Sequence, residues 1–187
     1  GGIVKIAALS KGGESVAQML GAVPVDPNMW PPRAGLQAVQ LKNDLYVMGG
    51  RGPFSLSSTT VLYGDVWKSA DLGATWTKVA DGHGGPRIWD ARAYFGAVTF
   101  SGRMFVIGGQ NFDTVPNPIF PDGCAALPPG VPCLPFIPNS TFFADVWSSK
   151  DGARWEPETL DAPWAGRAGL SAVVHKVAIY VLAGSQG

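Results

Sequence analysis

The sequence has no excess of charge of either sign: 14 Lys and Arg balance 14 Asp and Glu. Without a basic field there is no electrostatic footing for nucleic acid or for an anionic membrane surface, and neither is expected as a partner. Charged residues of any kind are scarce at 15%, against 46% hydrophobic, a balance too apolar for a disordered chain. Long apolar runs are missing as well; none approaches the roughly 20 residues of a membrane-spanning helix. The opening stretch, GGIVKIAALSKGGES, lacks the basic flank and long apolar core of a secretory signal, so none is expected there. Histidine and cysteine occur twice each, as His83 and His175, Cys124 and Cys133. So few ligating side chains give no metal cluster of credible spacing, and no metal or other cofactor is expected. Nucleophile-elbow, P-loop and dinucleotide fingerprints are absent. Glycine and proline, in contrast, are abundant at 25 and 16, which indicates many turns and few long helices. A length of 187 residues suits one domain with a sizeable core.

The dominant internal feature is a repeat. WPPRAGLQAVQLKNDLYVMGG (30–50) returns as WDARAYFGAVTFSGRMFVIGG (89–109) and as WAGRAGLSAVVHKVAIYVLAG (164–184), with no gap in any copy. Arg33, Arg92 and Arg167 each follow a Trp by three residues; the pairs Ala38-Val39, Ala97-Val98 and Ala172-Val173 coincide. A second motif separates the copies: DVWKSADLGATW (65–76) and DVWSSKDGARW (145–155). The two motifs account for every tryptophan, Trp30, Trp67, Trp76, Trp89, Trp147, Trp155 and Trp164, as expected of packing elements of each unit. The first 30 residues fit the same scheme more weakly. Gly1-Gly2 match the double glycine, VKI stands where DVW is expected, and Ile6 and Val16 replace the two tryptophans.

Each unit reads as four short strands. AGLQAVQL and DLYVMG are apolar or alternating runs joined by a polar turn at Lys42-Asn43. The glycine pairs Gly49-Gly50 and Gly108-Gly109, and Gly184 in the third copy, end the second strand, where backbone must bend or approach closely without a Cβ. YGDVWKS is the third strand and TWTKVA the fourth. Four strands recurring about every 50 residues form the pattern of propeller blades. The expected fold is therefore all-β: four-stranded antiparallel blades with innermost strands near 34–41, 93–100 and 168–175. We read one segment, 1–187, with repeats at approximately 1–50, 51–109 and 110–184. Three repeats do not close a ring, so the expectation is a partial propeller whose open faces take further blades of the same chain or other copies. Isolated, it is not expected to be a stable monomer.

The double glycine, the aromatic at Trp67 or Trp147 and the second tryptophan at Trp76 or Trp155 resemble a kelch-repeat β-propeller. SADLGATW (69–76) is similar to the Asp-box turns of some kelch-like proteins; SSKDGARW (148–155) reads as degenerate, with Lys150 at the Asp position and Asp151 beside it. Asp71 is expected to cap its own turn. The small residues Ala34, Gly35 and Ala38 suit a crowded inner strand. The Trp at the start of each copy is expected to cover an interblade seam. For Arg33, Arg92 and Arg167 two roles stand open. They form a ring around one end of the propeller that binds an acidic sugar or carboxylate, or each is a strut tying carbonyls or an acid of an adjoining blade.

One stretch breaks the repeat. Residues 110–144 carry a Pro-rich insertion that contains both cysteines. Long loops of this kind are uncommon and frequently functional. Cys124 and Cys133 are expected to form a disulfide, the alternative being two free thiols in a reducing cytoplasm. Asn139 begins the glycosylation triplet Asn-Ser-Thr. Cysteine pair and sequon together point to an extracellular or secretory-pathway protein. His175 takes the slot of Leu41 and Phe100 and reads as structural; His83, in DGHGGPR, reads as solvent-exposed.

The leading functional reading is a non-catalytic binding or structural module, with the insertion supplying a surface for a protein partner. The resemblance also implies a second class, an enzyme on the same fold, because kelch-like relatives include copper radical oxidases and a sialic-acid epimerase. The oxidase would need a Tyr, His and crosslinked-Cys constellation that these residues do not supply. An epimerase-like or lectin-like site would draw on the Arg ring and His83.

Overall fold

The computed structural model describes residues 29–53, 60–82, 88–111, 114–120, 123, 124, 128, 130 and 133–186, together with the backbone of 3–11 and 14–23. His83, Gly1 and Gly2 lie outside the described residues. Every described element is a strand. β1 (Ile3–Lys11) and β2 (Glu14–Val23) form an antiparallel hairpin. β3 (Gln37–Leu41), β4 (Asp44–Met48), β5 (Val66–Ser69) and β6 (Thr77–Ala80) follow as a four-stranded sheet in chain order.

A second sheet repeats the first: β7 (Gly96–Phe100), β8 (Arg103–Ile107), then β11 (Val146–Ser149) and β12 (Glu156–Thr159). Between β8 and β11 the insertion builds its own small hairpin, β9 (Thr114–Pro116) with β10 (Phe136–Pro138). β13 (Ala168–His175) and β14 (Ala178–Ser185) close the chain as a two-stranded sheet. The chain therefore presents two whole blades flanked by two-stranded pieces. The turns of the three hairpins β3–β4, β7–β8 and β13–β14 hold Lys42, Ser101 and Lys176, one each, at a left-handed φ of 56°, 48° and 53°.

β3 touches β7, and β7 touches β13, so the first strands of successive sheets line the same inner side. The core lies in the seam between the two whole blades. Leu41, Tyr46, Met48 and Val66 of one meet Trp89, Phe95, Met104, Val106 and Trp155 of the next. Trp89 is fully buried and sits edge-on to Trp155, with centroids 5.9 Å apart at 86°. The double glycines make this closeness possible. Gly49 takes φ +61°, and a Cβ there would lie 2.6 Å from the Phe95 ring. Gly108 takes φ +59°, with the Arg167 carbonyl 2.9 Å from where a Cβ would stand. No L side chain fits both constraints without strain.

The β1–β2 hairpin carries the register signature of an outer half-blade. In the whole blades the third and fourth strands slip by one residue between Val66 and Trp67, and between Val146 and Trp147. The same slip falls between Lys5 and Ile6. Gly21, opposite Lys5, precedes Trp30 by nine residues, as Ala80, opposite Val66, precedes Trp89. The alignment of VKI with DVW thus has a backbone counterpart.

Candidate functional site at the loop face

Antiparallel order decides which segments share an end. The chain leaves β4 and β8, enters β5 and β11, and crosses from β6 to β7 and from β12 to β13 all at one end of the sheets. That end carries the three Trp-x-x-Arg segments, the double glycines and the whole insertion. The Asp-box turns lie at the other end.

At the loop end each Arg sits in a repeated cage. Arg33 donates from Nε to the Pro31 carbonyl (3.4 Å) and from Nη1 to the Gly49 carbonyl (3.0 Å). It closes on Asp65 with two bonds of 2.5 and 3.2 Å. Arg92 does the same with Asp90 (3.0 Å), Gly108 (2.9 Å) and Asp145 (2.5 and 2.8 Å). Tyr63 and Phe143 lie flat under the two guanidinium groups at 3.7 and 3.8 Å. Trp67 and Trp147 each donate Nε1 to the same carboxylate at 2.8 Å. Both arginine side chains are wholly shielded from solvent. Arg167 repeats the two carbonyl bonds, to Ala165 (3.2 Å) and Ala183 (3.1 Å), without a described acid partner.

This geometry changes two expectations. The acid does not come from an adjoining blade. Arg33 and Asp65 bracket one blade, as Arg92 and Asp145 bracket the next, so each guanidinium ties the inner pair of strands to the outer pair of its own blade. The tie between blades is backbone: the Gly50 N–H donates to the Arg92 carbonyl (2.8 Å) and the Arg92 N–H to the Tyr63 carbonyl (3.2 Å). Moreover, the Arg33 and Arg92 guanidinium groups point into the blades, away from any solute. The acids of this cage, Asp65 and Asp145, were written in the DVW motif. Their partner was not, because Arg and Asp stand 32 and 53 residues apart.

The Asp-box reading of the second blade is corrected. Asp71 accepts from the Thr75 hydroxyl (2.6 Å), the Thr75 N–H (2.9 Å) and the Ser69 hydroxyl (2.8 Å). These bonds hold its carboxyl down at about 2. In the second turn Asp151, not Lys150, plays this part. It accepts from the N–H groups of Ala153 (2.9 Å) and Arg154 (3.0 Å), and Ser149 caps the Gly152 N–H at 2.8 Å. Burial pushes the Asp151 carboxyl up, but those donors outweigh it and the net shift is downward. The second turn is simply one residue shorter, lacking a counterpart of Leu72. In both turns the tryptophan closes the loop, Trp76 to the Gly73 carbonyl (3.1 Å) and Trp155 to Gly152 (3.0 Å).

Cys124 and Cys133 are disulfide-bonded, with Cα atoms 5.8 Å apart. Asn139 is exposed just past β10, and Ile119 and Leu134 of the insertion are 76% and 51% exposed. The insertion, expected as a loop, is partly ordered by the β9–β10 pairing and by Asn117, whose side chain donates to the Leu134 carbonyl at 3.0 Å. His175 is exposed and lies edge-on to Tyr180. Among the described residues no three His, Cys, Asp or Glu side chains converge as a metal site, and no helix is long and apolar enough to cross a membrane. One site feature escaped the sequence reading. Tyr94 takes φ +56° where its repeat equivalents are Gly35 and Gly169, and its hydroxyl accepts from Arg51 Nε at 3.0 Å. The gapless alignment held that Gly-Tyr-Gly substitution in view.

Fold and cages together define an all-β propeller segment of four-stranded blades, with its sheets not closed into a ring. A Kelch motif model matches residues 91–119, the inner strands of the second blade and the start of the insertion. Among solved structures the chain is similar to that titled "Structure of YjhT". The two share 19% identity and a TM-score of 0.55, over 93% of this chain and 49% of that one, so the chain spans about half the length of that relative. No curated protein sequence matches. The chain thus has a β-propeller fold, present as an open segment, and carries a Kelch motif at residues 91–119.

Proposed function

We propose that this chain is a non-catalytic interaction or structural module of an extracellular protein or assembly, and that its insertion is the partner-binding element. A kelch propeller fold supports protein interaction in general. The observation that carries the finer reading is the insertion itself. It alone breaks the repeat on the loop face, it is clamped by the Cys124–Cys133 bond, and it offers Ile119 and Leu134 to solvent. The disulfide and the exposed Asn139 favour an oxidising compartment. Arg33 and Arg92 serve in this reading as struts: their buried, ion-paired side chains weigh against an epimerase-like or lectin-like site for an acidic sugar.

The test compares the chain with a form in which residues 114–138 are replaced by a short Gly-Ser linker, each immobilised against secreted proteins of the native source. A partner held by the first, lost by the second and lost on reduction is the expected result. Equal retention by both forms would remove the insertion from the reading. Free thiols at Cys124 and Cys133, or an unmodified Asn139 in native material, would remove the extracellular assignment.

A further inference from the structure

The repeat is also broken at the Asp-box end of the sheets, and there the break is one of charge. In the first whole blade the start of β4, the Asp-box turn and the start of β6 carry Asp44, Ala70, Asp71, Thr75 and Thr77. At the same repeat positions the second blade has Arg103, Lys150, Asp151, Arg154 and Glu156. Two acids and no base become three bases and two acids, a change from −2 to +1. The five side chains of the second blade line one hollow of about 150 Å³. The turn itself does not require these charges, because the first blade closes its turn with the same tryptophan bond and without them.

The acids of the hollow are already engaged. Asp151 accepts from the Ala153 and Arg154 N–H groups, and Glu156 accepts from Arg103 Nη2 at 2.6 Å. Arg103 is held by a further bond from Nε to the Ser148 hydroxyl at 2.8 Å, yet its side chain remains 22% exposed. Lys150 and Arg154 are exposed, and among the described residues neither is ion-paired. Thr75 spends its hydroxyl on Asp71, whereas Arg154 gives Asp151 its backbone N–H and leaves its guanidinium to the hollow. We propose that this hollow is a binding site for a tetrahedral oxyanion, a sulfate or phosphate group. Three cations from three segments, the start of β8 and the two sides of the turn, suit a group that offers three oxygens, where a carboxylate offers two. Arg103 supplies a held fork and Lys150 a mobile point charge. The site lies at the opposite end of the sheets from the insertion, so it stands or falls apart from the partner-binding reading.

The test is calorimetric titration of the full chain with sodium sulfate, sodium phosphate, and a monosulfated disaccharide beside its unsulfated form. Ionic strength is held fixed, because exposed charges are screened by salt. Saturable binding of the anions is expected, and none of the unsulfated sugar. Lys150→Ala combined with Arg154→Thr installs the first blade's own residues, which that blade shows to be compatible with the turn. This variant should bind about tenfold or more weakly, the scale of a lost charge-assisted contact. Lys78→Ala removes a charge of the same sign from β6 and should leave binding unchanged. Tighter binding of the sulfated sugar than of inorganic sulfate would assign the source as an ester borne on a glycan, and equal affinity would assign the free ion; both support the site. Absence of saturable binding for every anion overturns the proposal. Equal binding by the Lys150→Ala, Arg154→Thr variant overturns it as well, as does an equal weakening by Lys78→Ala.

Discussion

Arg92 gives the sharpest test of the strut. Its side chain is fully buried, makes four hydrogen bonds, two of them to Asp145, and covers the Phe143 ring. Arg92→Ala leaves the Asp145 carboxylate buried, 7% exposed, with Trp147 Nε1 as its remaining side-chain donor. Breaking a buried pair in this way costs about 3–5 kcal/mol. For a chain of this length that is a melting-point drop of roughly 6–20 °C. Arg92→Leu with Asp145→Leu removes both charges together. Such replacements are close to neutral in other proteins, so the double variant should recover most of the loss, and the cycle should report strong coupling. Urea unfolding followed by tryptophan fluorescence reads both, because Trp89 and Trp155 sit in the seam. A loss below about 1 kcal/mol for Arg92→Ala, accompanied by loss of acidic-sugar binding in a calorimetric screen, would refute the reasoning and make Arg92 a ligand residue.

Other outcomes follow from the same structure. Trp155→Ala should cost about 3–5 kcal/mol, and Trp76→Ala less, because Trp76 with Trp30, Leu45 and Val47 walls an open groove of about 340 Å³ rather than a filled seam; equal losses in urea unfolding would contradict this. The Asp71 carboxyl, held at about 2 in the folded chain, lies below its unfolded value near 4. Its contribution is therefore present above about pH 4 and lost as pH falls through about 2; carboxyl NMR titration should show that midpoint, and Thr75→Val should raise it. Gly49→Ala should destabilise by about 1–3 kcal/mol, since its Cβ meets Phe95 at 2.6 Å, whereas Gly102→Ala, with open space around it, should cost less; thermal melts of the two variants compare them directly.

The repeat was legible because propeller packing writes itself periodically. Each seam needs the same tryptophans, the same cramped glycines and the same short strands, so three gapless copies and the DVW segments sufficed for the blades and their order. The disulfide was legible for a related reason: two cysteines in one loop have only each other. The Asp-box register was misread because a one-residue deletion shifts an aspartate without altering the turn's hydrogen bonding. Ser149 and Trp155 anchor that turn from both sides, and Asp151 falls into place between them.

By itself the sequence determined an all-β chain of repeated four-stranded blades with one disulfide-bearing insertion, since strand pattern, turn chemistry and repeat spacing are local properties. Which residues meet was decided only by tertiary structure. Arg33 and Asp65, or Arg92 and Asp145, come together because a blade folds its outer strands back beside its inner ones, a long-range closure that no spacing encodes. The same closure buries the guanidinium groups and turns a ring of arginines into internal ties.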